Sequence, residues 1–344
     1  MPSRHVPIHA LLAAFAAAFL FGSNGSVVKV VTDSGITPEQ LTFFRCLATT
    51  VCAGVALLFV DPGKGFRLSL RETGQTIALG LIGIACVQWF YASAITLIPV
   101  GIVLLIEYTA VLMVAVVARF VFKEAVKPRL WGAIALVLVG LTIVAAQGSD
   151  GAALNPIGAL LAFAGAVCYA AYFLLAERQV STRNPMSVTF WSMLWASLIW
   201  GVFSSWWAIE PSTLTASVST GGITVPVWVP LLWAGTMGSF LPFLLSYTAL
   251  RYMSATSAGI IASSEIIWAF EVAWAWLGQA LSIVQLMGVA VVATGIVLAQ
   301  TARSSRASDV TSTSPATVPI PVIRPPEQTS VTPRGNTGEH TPRA

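Results

Sequence analysis

The chain has 344 residues, of which 56% are Ala, Val, Ile, Leu, Met, Phe, Trp, Tyr or Cys and only 9% are charged. A soluble domain carries about 45–50% apolar and about 25% charged residues, so this composition cannot clothe a water-facing surface and excludes a soluble globule. The net charge of +4 comes from loop lysines and arginines rather than from one basic face, which argues against a nucleic-acid partner. The chain reads as a polytopic membrane protein.

A bilayer span takes about 20 mainly apolar residues. Ten stretches qualify in chain order, near 8–31, 40–60, 74–96, 101–122, 130–147, 157–176, 187–207, 225–250, 255–277 and 281–300. The first follows Arg4 and His5 as a signal peptide would. Its apolar run continues through Val27–Val31 and nine further spans succeed it, so it is read as a retained helix behind a short cytoplasmic N-terminus, 1–7.

Positive residues mark the cytoplasmic side of short loops. With the N-terminus inside, the inner loops hold Arg4, Lys64, Arg67, Arg71, Lys123, Lys127, Arg129, Arg178, Arg183, Arg251, Arg303 and Arg306, while the outer side holds Lys29. That asymmetry predicts a multi-pass protein of the plasma or inner cell membrane with both termini cytoplasmic. After Ala302 the composition turns to Ser, Thr, Pro and Arg, and 303–344 reads as a disordered cytoplasmic tail.

Cys46, Cys52, Cys86 and Cys168 lie in apolar runs without a CxxC pair and read as small buried hydrophobes. The histidines, His5, His9 and His340, sit near the chain ends, leaving almost nothing for a zinc site. No metal and no cofactor is expected.

The chain also repeats itself. IHALLAAFAAAFLFGS from Ile8 lines up with IGALLAFAGAVCYAAY from Ile157 at an offset of 149. The segment from Tyr91 to Glu124 pairs with that from Ser246 to Gln279 at an offset of 155, and Gly140 then meets Gly295. Five spans per half, an odd number, force the second half to enter the membrane from the opposite side. The expected fold is therefore an all-α integral membrane protein of ten transmembrane helices in two inverted five-helix repeats, 8–147 and 157–300. Inverted repeats give inward-open and outward-open states of similar energy about a shared midplane site, which points to a secondary transporter.

The run FGSNGSVVKVV followed by PEQLTFFRCLA, and EYTAVLMVAVVARFVFKEAVKPRLWGAIALVLVGLTIVA after them, resembles the EamA family of the drug/metabolite transporter superfamily. The second half repeats the pattern as SSEIIWAFEVAWAWLGQALSIVQLMGVAVVATGIVLA, so the resemblance covers about residues 8–300. It implies a ten-helix exporter or importer of small organic metabolites such as amino acids. A central cavity would be lined by the first four helices of each half, with the fifth and tenth helices peripheral. Ser192 stands where the first half has Arg45, and Gln279 where it has Glu124, so the two-fold pattern fails at those charges.

An ionised group at mid-bilayer costs about 2.5–3.5 kcal/mol on insertion scales and usually faces a cavity or a partner. Arg45, Glu107, Arg119, Glu265 and Glu271 are the candidates. Glu107 and Glu265 sit three residues apart in the repeat register, about one helical turn on one face, and would both point toward the pseudo-twofold axis. There they could bind a substrate amine or exchange a proton. Arg45, about a turn into the second span, is expected either to snorkel outward or to pair with Glu107 or a substrate carboxylate. Arg119 should snorkel at the inner end of its span, and Glu271 should face elsewhere.

Asn24, Gln88, Tyr91, Tyr108, Tyr172, Tyr247 and Trp268 are expected to complete a substrate-binding site with Arg45, Glu107 and Glu265; Trp89 and Tyr169 are further aromatics of the same kind. Trp200, Trp206, Trp207 and Trp228 fall at span ends, where interface anchors belong. Gly132, Gly140, Gly288 and Gly295 would let the fifth and tenth helices approach closely, within one chain or between two.

The competing readings are a membrane enzyme acting on lipid or isoprenoid substrates and a channel or sensor. Such an enzyme would want an acidic magnesium-binding cluster, but Asp61, Glu72, Glu124 and Glu177 are isolated. A channel would want rings of charge or a filter motif. Gly63–Lys64 lacks the rest of a phosphate loop. The expectation is a non-enzymatic transporter, an exporter by direction, monomeric or homodimeric, driven by a proton or another gradient.

Overall fold

The computed structural model describes residues 8–120, 128–146, 155–180, 182–220, 222–250, 261–262 and 264–312. The chain divides into Met1–Arg306 and Ala307–Ala344, and the account below concerns the first unit except where helix α12 runs past it. Residues 1–7, Glu124, Arg251 and the chain beyond Ser312 lie outside the described residues, as do the side chains of Arg119, Arg178 and Tyr247.

Among the described residues the apolar stretches are helical apart from one short hairpin. The first half holds α1 (Ile8–Asp33), α2 (Pro38–Val60), α3 (Leu70–Ala94), α4 (Val100–Glu107), α5 (Ala110–Phe120) and α6 (Pro128–Ala146). The second holds α7 (Pro156–Val180), α8 (Pro185–Phe203), the short α9 (Pro211–Thr215), α10, α11 (Glu265–Leu277) and α12 (Ile283–Ser312). α10 runs as Trp228–Gly235, a π-helical segment Thr236–Phe240, and Leu241–Leu250. Before it, an antiparallel hairpin pairs β1 (Ser217–Thr220) with β2 (Ile223–Pro226).

Among the described residues six helices are long and apolar enough to cross a membrane: Ile8–Asp33, Pro38–Val60, Leu70–Ala94, Pro156–Ala176, Pro185–Phe203 and Trp228–Ser246. Val100–Val114, Trp131–Val144 and Ile283–Leu298 are shorter apolar stretches. Side chains such as Phe59, Val139, Leu160, Phe163 and Met287 stay exposed on the outer faces, as lipid contact requires and water would not permit.

Local chemistry sets the helix ends. Thr37 and Ser69 each cap their helix in a reciprocal pair with the glutamine or glutamate three residues on, Gln40 and Glu72, the capping-box arrangement that satisfies two orphan amides at once. Asn184 caps α8 ahead of Pro185 at its first turn. Gly278, at φ +66°, closes α11. α12 continues to Ser312, past the point at which composition ends the last span. Residues 303–312 contain no proline or glycine to stop it, and Pro315 is the first that could.

Helix α1 carries a stripe of small buried residues, Ala10, Ala13, Ala14, Ala17, Ala18 and Gly22. It packs against α10 and α11, so closely that a Cβ at Gly22 would come within 2.6 Å of the Glu265 carbonyl oxygen. α7 packs in the same manner against α3, α4 and α5, while α2 lies along α8. Gly140, Gly288 and Gly295 bring α6 and α12 into backbone contact within the chain. Gly132 has open space around it and takes no part in that contact. Cys46 is buried and Cys52, Cys86 and Cys168 are half-buried, all as free thiols.

Two departures from regular helix position the site. α3 is π-helical over Leu79–Cys86 and α10 over Thr236–Phe240; such bulges widen the turn and recur at functional sites. The expected fourth span is not continuous either, because α4 ends at Glu107 and α5 starts at Ala110. α11 likewise begins at Glu265 after a turn at Ser264. At each break a hydroxyl folds back onto the carbonyl three residues earlier: Thr109 Oγ1 donates to Ile106 O, and Ser264 Oγ to Ile261 O, both at 2.6 Å.

Candidate functional site

The broken ends of α4 and α11 meet α1, α2, α3, α7 and α10 around a cavity of about 140 Å³. A cavity of about 150 Å³ holds a molecule the size of benzene, so this space suits a small solute. Asn24, Arg45, Gln88, Tyr91, Glu107, Tyr108, Tyr172 and Glu265 all line it. Eight of the ten residues singled out in the sequence therefore converge on one space. Trp268 stands outside the lining, edge-on to Phe19 with ring centroids 5.4 Å apart. The Tyr247 side chain is outside the described residues.

The breaks explain why the carboxylates reach the cavity. The repeat register sets the two glutamates three residues apart on pseudo-equivalent helices. Glu107 is the last residue of α4 and Glu265 the first of α11, so they flank their breaks from opposite sides. Tyr108, in the first break, donates its hydroxyl to Glu265 Oε2 at 2.6 Å and joins the two breaks directly. Glu107 lies against α7, where Gly165 leaves the room that a Cβ would take 2.8 Å from Glu107 Oε1. That oxygen is buried and has no hydrogen-bond partner.

Arg45 neither snorkels nor forms an ion pair among the described residues. It is only 7% exposed, because it leaves α2 on the face that packs against α10. Its Nε and Nη2 donate to Ser239 Oγ at 3.4 and 3.2 Å. The π segment makes this contact possible: Ser239 turns its own hydroxyl back to the Ala234 carbonyl, five residues away, at 2.9 Å. Thr49 of α2 bonds the Gly235 carbonyl in the same region. Arg45 Nη1 remains buried and unpartnered.

Two further acceptors are left open. Asn24 Oδ1 is buried without a partner and sits against Gly238 of the π segment, where any Cβ would overlap it. Gln88 Oε1 is also unpaired, while its amide nitrogen contacts the Cys46 and Met193 sulfurs. Tyr169 and Tyr172 stack with ring centroids 5.7 Å apart and line the same wall. Trp89 points away from the cavity, donating to Glu39 at 2.7 Å. Glu271 is exposed, as expected.

Ser239, Phe21, Met193 and Phe243 also line the cavity and were not among the residues expected from sequence. The three apolar ones carry no signal that separates them from other span residues. Ser239 had one: it lies in the GTMGSF run, a polar interruption in an apolar helix. Of the expected interface anchors, Trp206, Trp207 and Trp228 are exposed, whereas Trp200 is partly buried and donates to the Ala85 carbonyl.

The fold and the site together define a multi-pass helical membrane protein with a partly open cavity among its helices, largely apolar but carrying ionisable side chains. The model of the EamA-like transporter family matches residues 8–146 and again 156–301. The chain belongs to this family, within the drug/metabolite transporter superfamily. It is 23% identical over 305 residues to the uncharacterized transporter YyaM of Bacillus subtilis, covering 86% of this chain and 94% of that protein. It is 25% identical over 233 residues to the threonine/homoserine exporter RhtA of Escherichia coli K12, covering 67% and 73%. A solved crystal structure superposes over 86% of this chain and 98% of its own with a TM-score of 0.59 at 18% identity, a likeness of fold.

Proposed function

We propose that this protein is a secondary transporter exporting small organic metabolites, amino acids foremost, by alternating access of two inverted five-helix repeats, 8–147 and 157–300. It would cross the cell membrane ten times, with both termini cytoplasmic. The observation that carries this reading is the meeting of the two helix breaks at one partly open cavity that holds Arg45, Glu107 and Glu265 among apolar side chains. Discontinuous helices whose ends face a shared midplane site are how such transporters hold a substrate. The Thr109–Ile106 and Ser264–Ile261 bonds match at the 155-residue offset of the repeat. The π segments of α3 and α10 fall in register as well, and the packing of α1 on α10 and α11 mirrors that of α7 on α3 to α5.

The substrate contacts would come from Asn24, Arg45, Gln88, Tyr91, Glu107, Tyr108, Tyr172 and Glu265, with Tyr247 and Trp268 as further members. A buried carboxylate without a partner, as at Glu107, also suits a proton-coupled step. The name of the RhtA relatives supports an amino-acid substrate and an outward direction. The test is flux of labelled amino acids, nucleosides and sugars across proteoliposomes holding the full-length protein. Saturable movement of one class is the expected result. Flux of every compound at the level of protein-free liposomes would overturn the reading.

A further inference from the structure

Helices α3 and α7, one from each half of the chain, run antiparallel in a register that close glycine contacts fix. A Cβ at Gly83 would come 3.2 Å from the Tyr172 Cα, and one at Gly165 would come 3.4 Å from the Phe90 Cβ. Cys86 lies three residues after Gly83 and four before Phe90, while Cys168 lies three after Gly165 and four before Tyr172. Each of those steps is about one helical turn, so the two cysteines face each other between the two contacts. Their thiols hydrogen-bond one another.

That geometry meets what a disulfide demands. Glycine at 83 and 165 removes the side chains that would hold the helices apart, so the Cα atoms bracketed by those contacts come into the range of about 4.4–6.8 Å that the bridge spans. Both thiols are half-buried, within reach of a small uncharged oxidant. Cys46, which is buried, turns its sulfur to the Gln88 amide nitrogen instead. Neither Cys86 nor Cys168 lines the cavity, although their chain neighbours Val87 and Tyr169 do. The pair therefore stands apart from the substrate contacts.

We propose that Cys86 and Cys168 form an oxidation site, at which hydrogen peroxide converts the two thiols into a disulfide that ties the second half of the chain to the first. One thiol attacks the peroxide, becomes a sulfenic acid and releases one water. The other thiol then attacks that sulfur, which forms the S–S bond and releases a second water. The two sulfurs give up two electrons and two protons, and the broken O–O bond takes them up. A dithiol reductant restores both thiols. The bond closes a loop from Cys86 to Cys168 and so restricts the unfolded chain more than the folded one.

The test treats the full-length protein in detergent with diamide, an azo compound that accepts the same two electrons and two protons to become a hydrazine and leaves methionine intact. Remaining thiols are blocked with N-ethylmaleimide, and chains that still run as monomers are cut with cyanogen bromide. Cleavage after Met113 and Met186 leaves Cys46, Cys52 and Cys86 on fragment 1–113 and Cys168 alone on fragment 114–186. The expected result on a non-reducing gel is one band joining these fragments, split by dithiothreitol and absent from Cys86→Ser. The thermal midpoint should rise on oxidation of the unaltered protein and stay level in Cys86→Ser, whose cooperative unfolding in the reduced state reports that it is folded. Fragments that separate after diamide, or a joined band that survives Cys86→Ser, overturn the proposal without touching the transport reading. A joined band with no rise in midpoint keeps the oxidation site and overturns its role in tying the halves together.

Discussion

The Tyr108 hydroxyl lies 2.6 Å from Glu265 Oε2, so one residue inside the first helix break holds the carboxylate that opens the second. With the Arg45 bonds to Ser239, it is one of the contacts by which the two halves of the chain meet at the cavity. Neither group could occupy a regular lipid-facing helix without cost, because each would need a polar partner there. They supply that partner to each other, and the breaks free the backbone to let them meet.

Tyr108→Phe should therefore leave a folded, membrane-inserted protein whose transport falls by about tenfold or more. A hydrogen bond to a charged group is worth about 1.5–3 kcal/mol, and Glu265 would lose its orientation. Initial flux rates in proteoliposomes with matched protein content check this. A rate within a factor of two of the unaltered protein would mean the bond is structural trim.

Glu107→Gln keeps the shape of the side chain and removes its charge. Gly165 leaves space for the same volume, so folding should be spared and elution on size exclusion unchanged. Transport should be abolished or slowed by two orders of magnitude, because the carboxylate at the α4 break would no longer offer a charge to substrate or proton. Flux equal to that of the unaltered protein would remove Glu107 from the mechanism.

The sequence announced the two breaks only in part. The 155-residue offset aligned Tyr91–Glu124 with Ser246–Gln279 and so drew attention to Glu107 and Glu265, since a carboxylate in an apolar run is costly wherever it points. Thr109 and Ser264 align at that same offset. A hydroxyl at matched positions was the available sign that both helices unwind there. It passes unnoticed because threonine and serine also sit in intact membrane helices, bonded back to the preceding turn. The burial of Arg45 was not legible at all. It depends on Ser239, and Ser239 reaches it through a π turn of α10 that no residue pattern encodes.

Gly140 and Gly132 read alike in the sequence, yet a Cβ at Gly140 would meet the Gly288 carbonyl oxygen at 2.8 Å and the Val292 nitrogen at 2.9 Å. Backbone atoms cannot yield as a flexible side chain does. Gly140→Leu should thus destabilise the α6–α12 contact by about 1–3 kcal/mol, whereas Gly132→Leu should stay within about 0.5 kcal/mol of the unaltered protein. Thermal unfolding in detergent, followed by the fluorescence of the 12 tryptophans, separates the two. Equal midpoints would show that the helices are held apart.

Arg183 ties the second half to the first. Its Nη1 lies 2.8 Å from Glu72 Oε1, and its Nη2 donates to the Arg67 carbonyl at 2.8 Å and to the Gly65 carbonyl at 3.3 Å. Ser187 Oγ and Trp191 Nε1 of α8 also donate to that Gly65 carbonyl, at 2.6 and 3.2 Å. Arg183 is 11% exposed on its side chain, so water replaces these bonds poorly and their loss should cost about 1–3 kcal/mol. Arg183→Gln removes the fork geometry that reaches several acceptors at once. The expected result is a lower thermal midpoint together with faster maleimide labelling of a cysteine introduced as Lys64→Cys, because the 64–67 segment would no longer be clamped to α8. A lower midpoint with unchanged labelling would confine Arg183 to stability, and no change in either would show that Ser187 and Trp191 hold the segment without it.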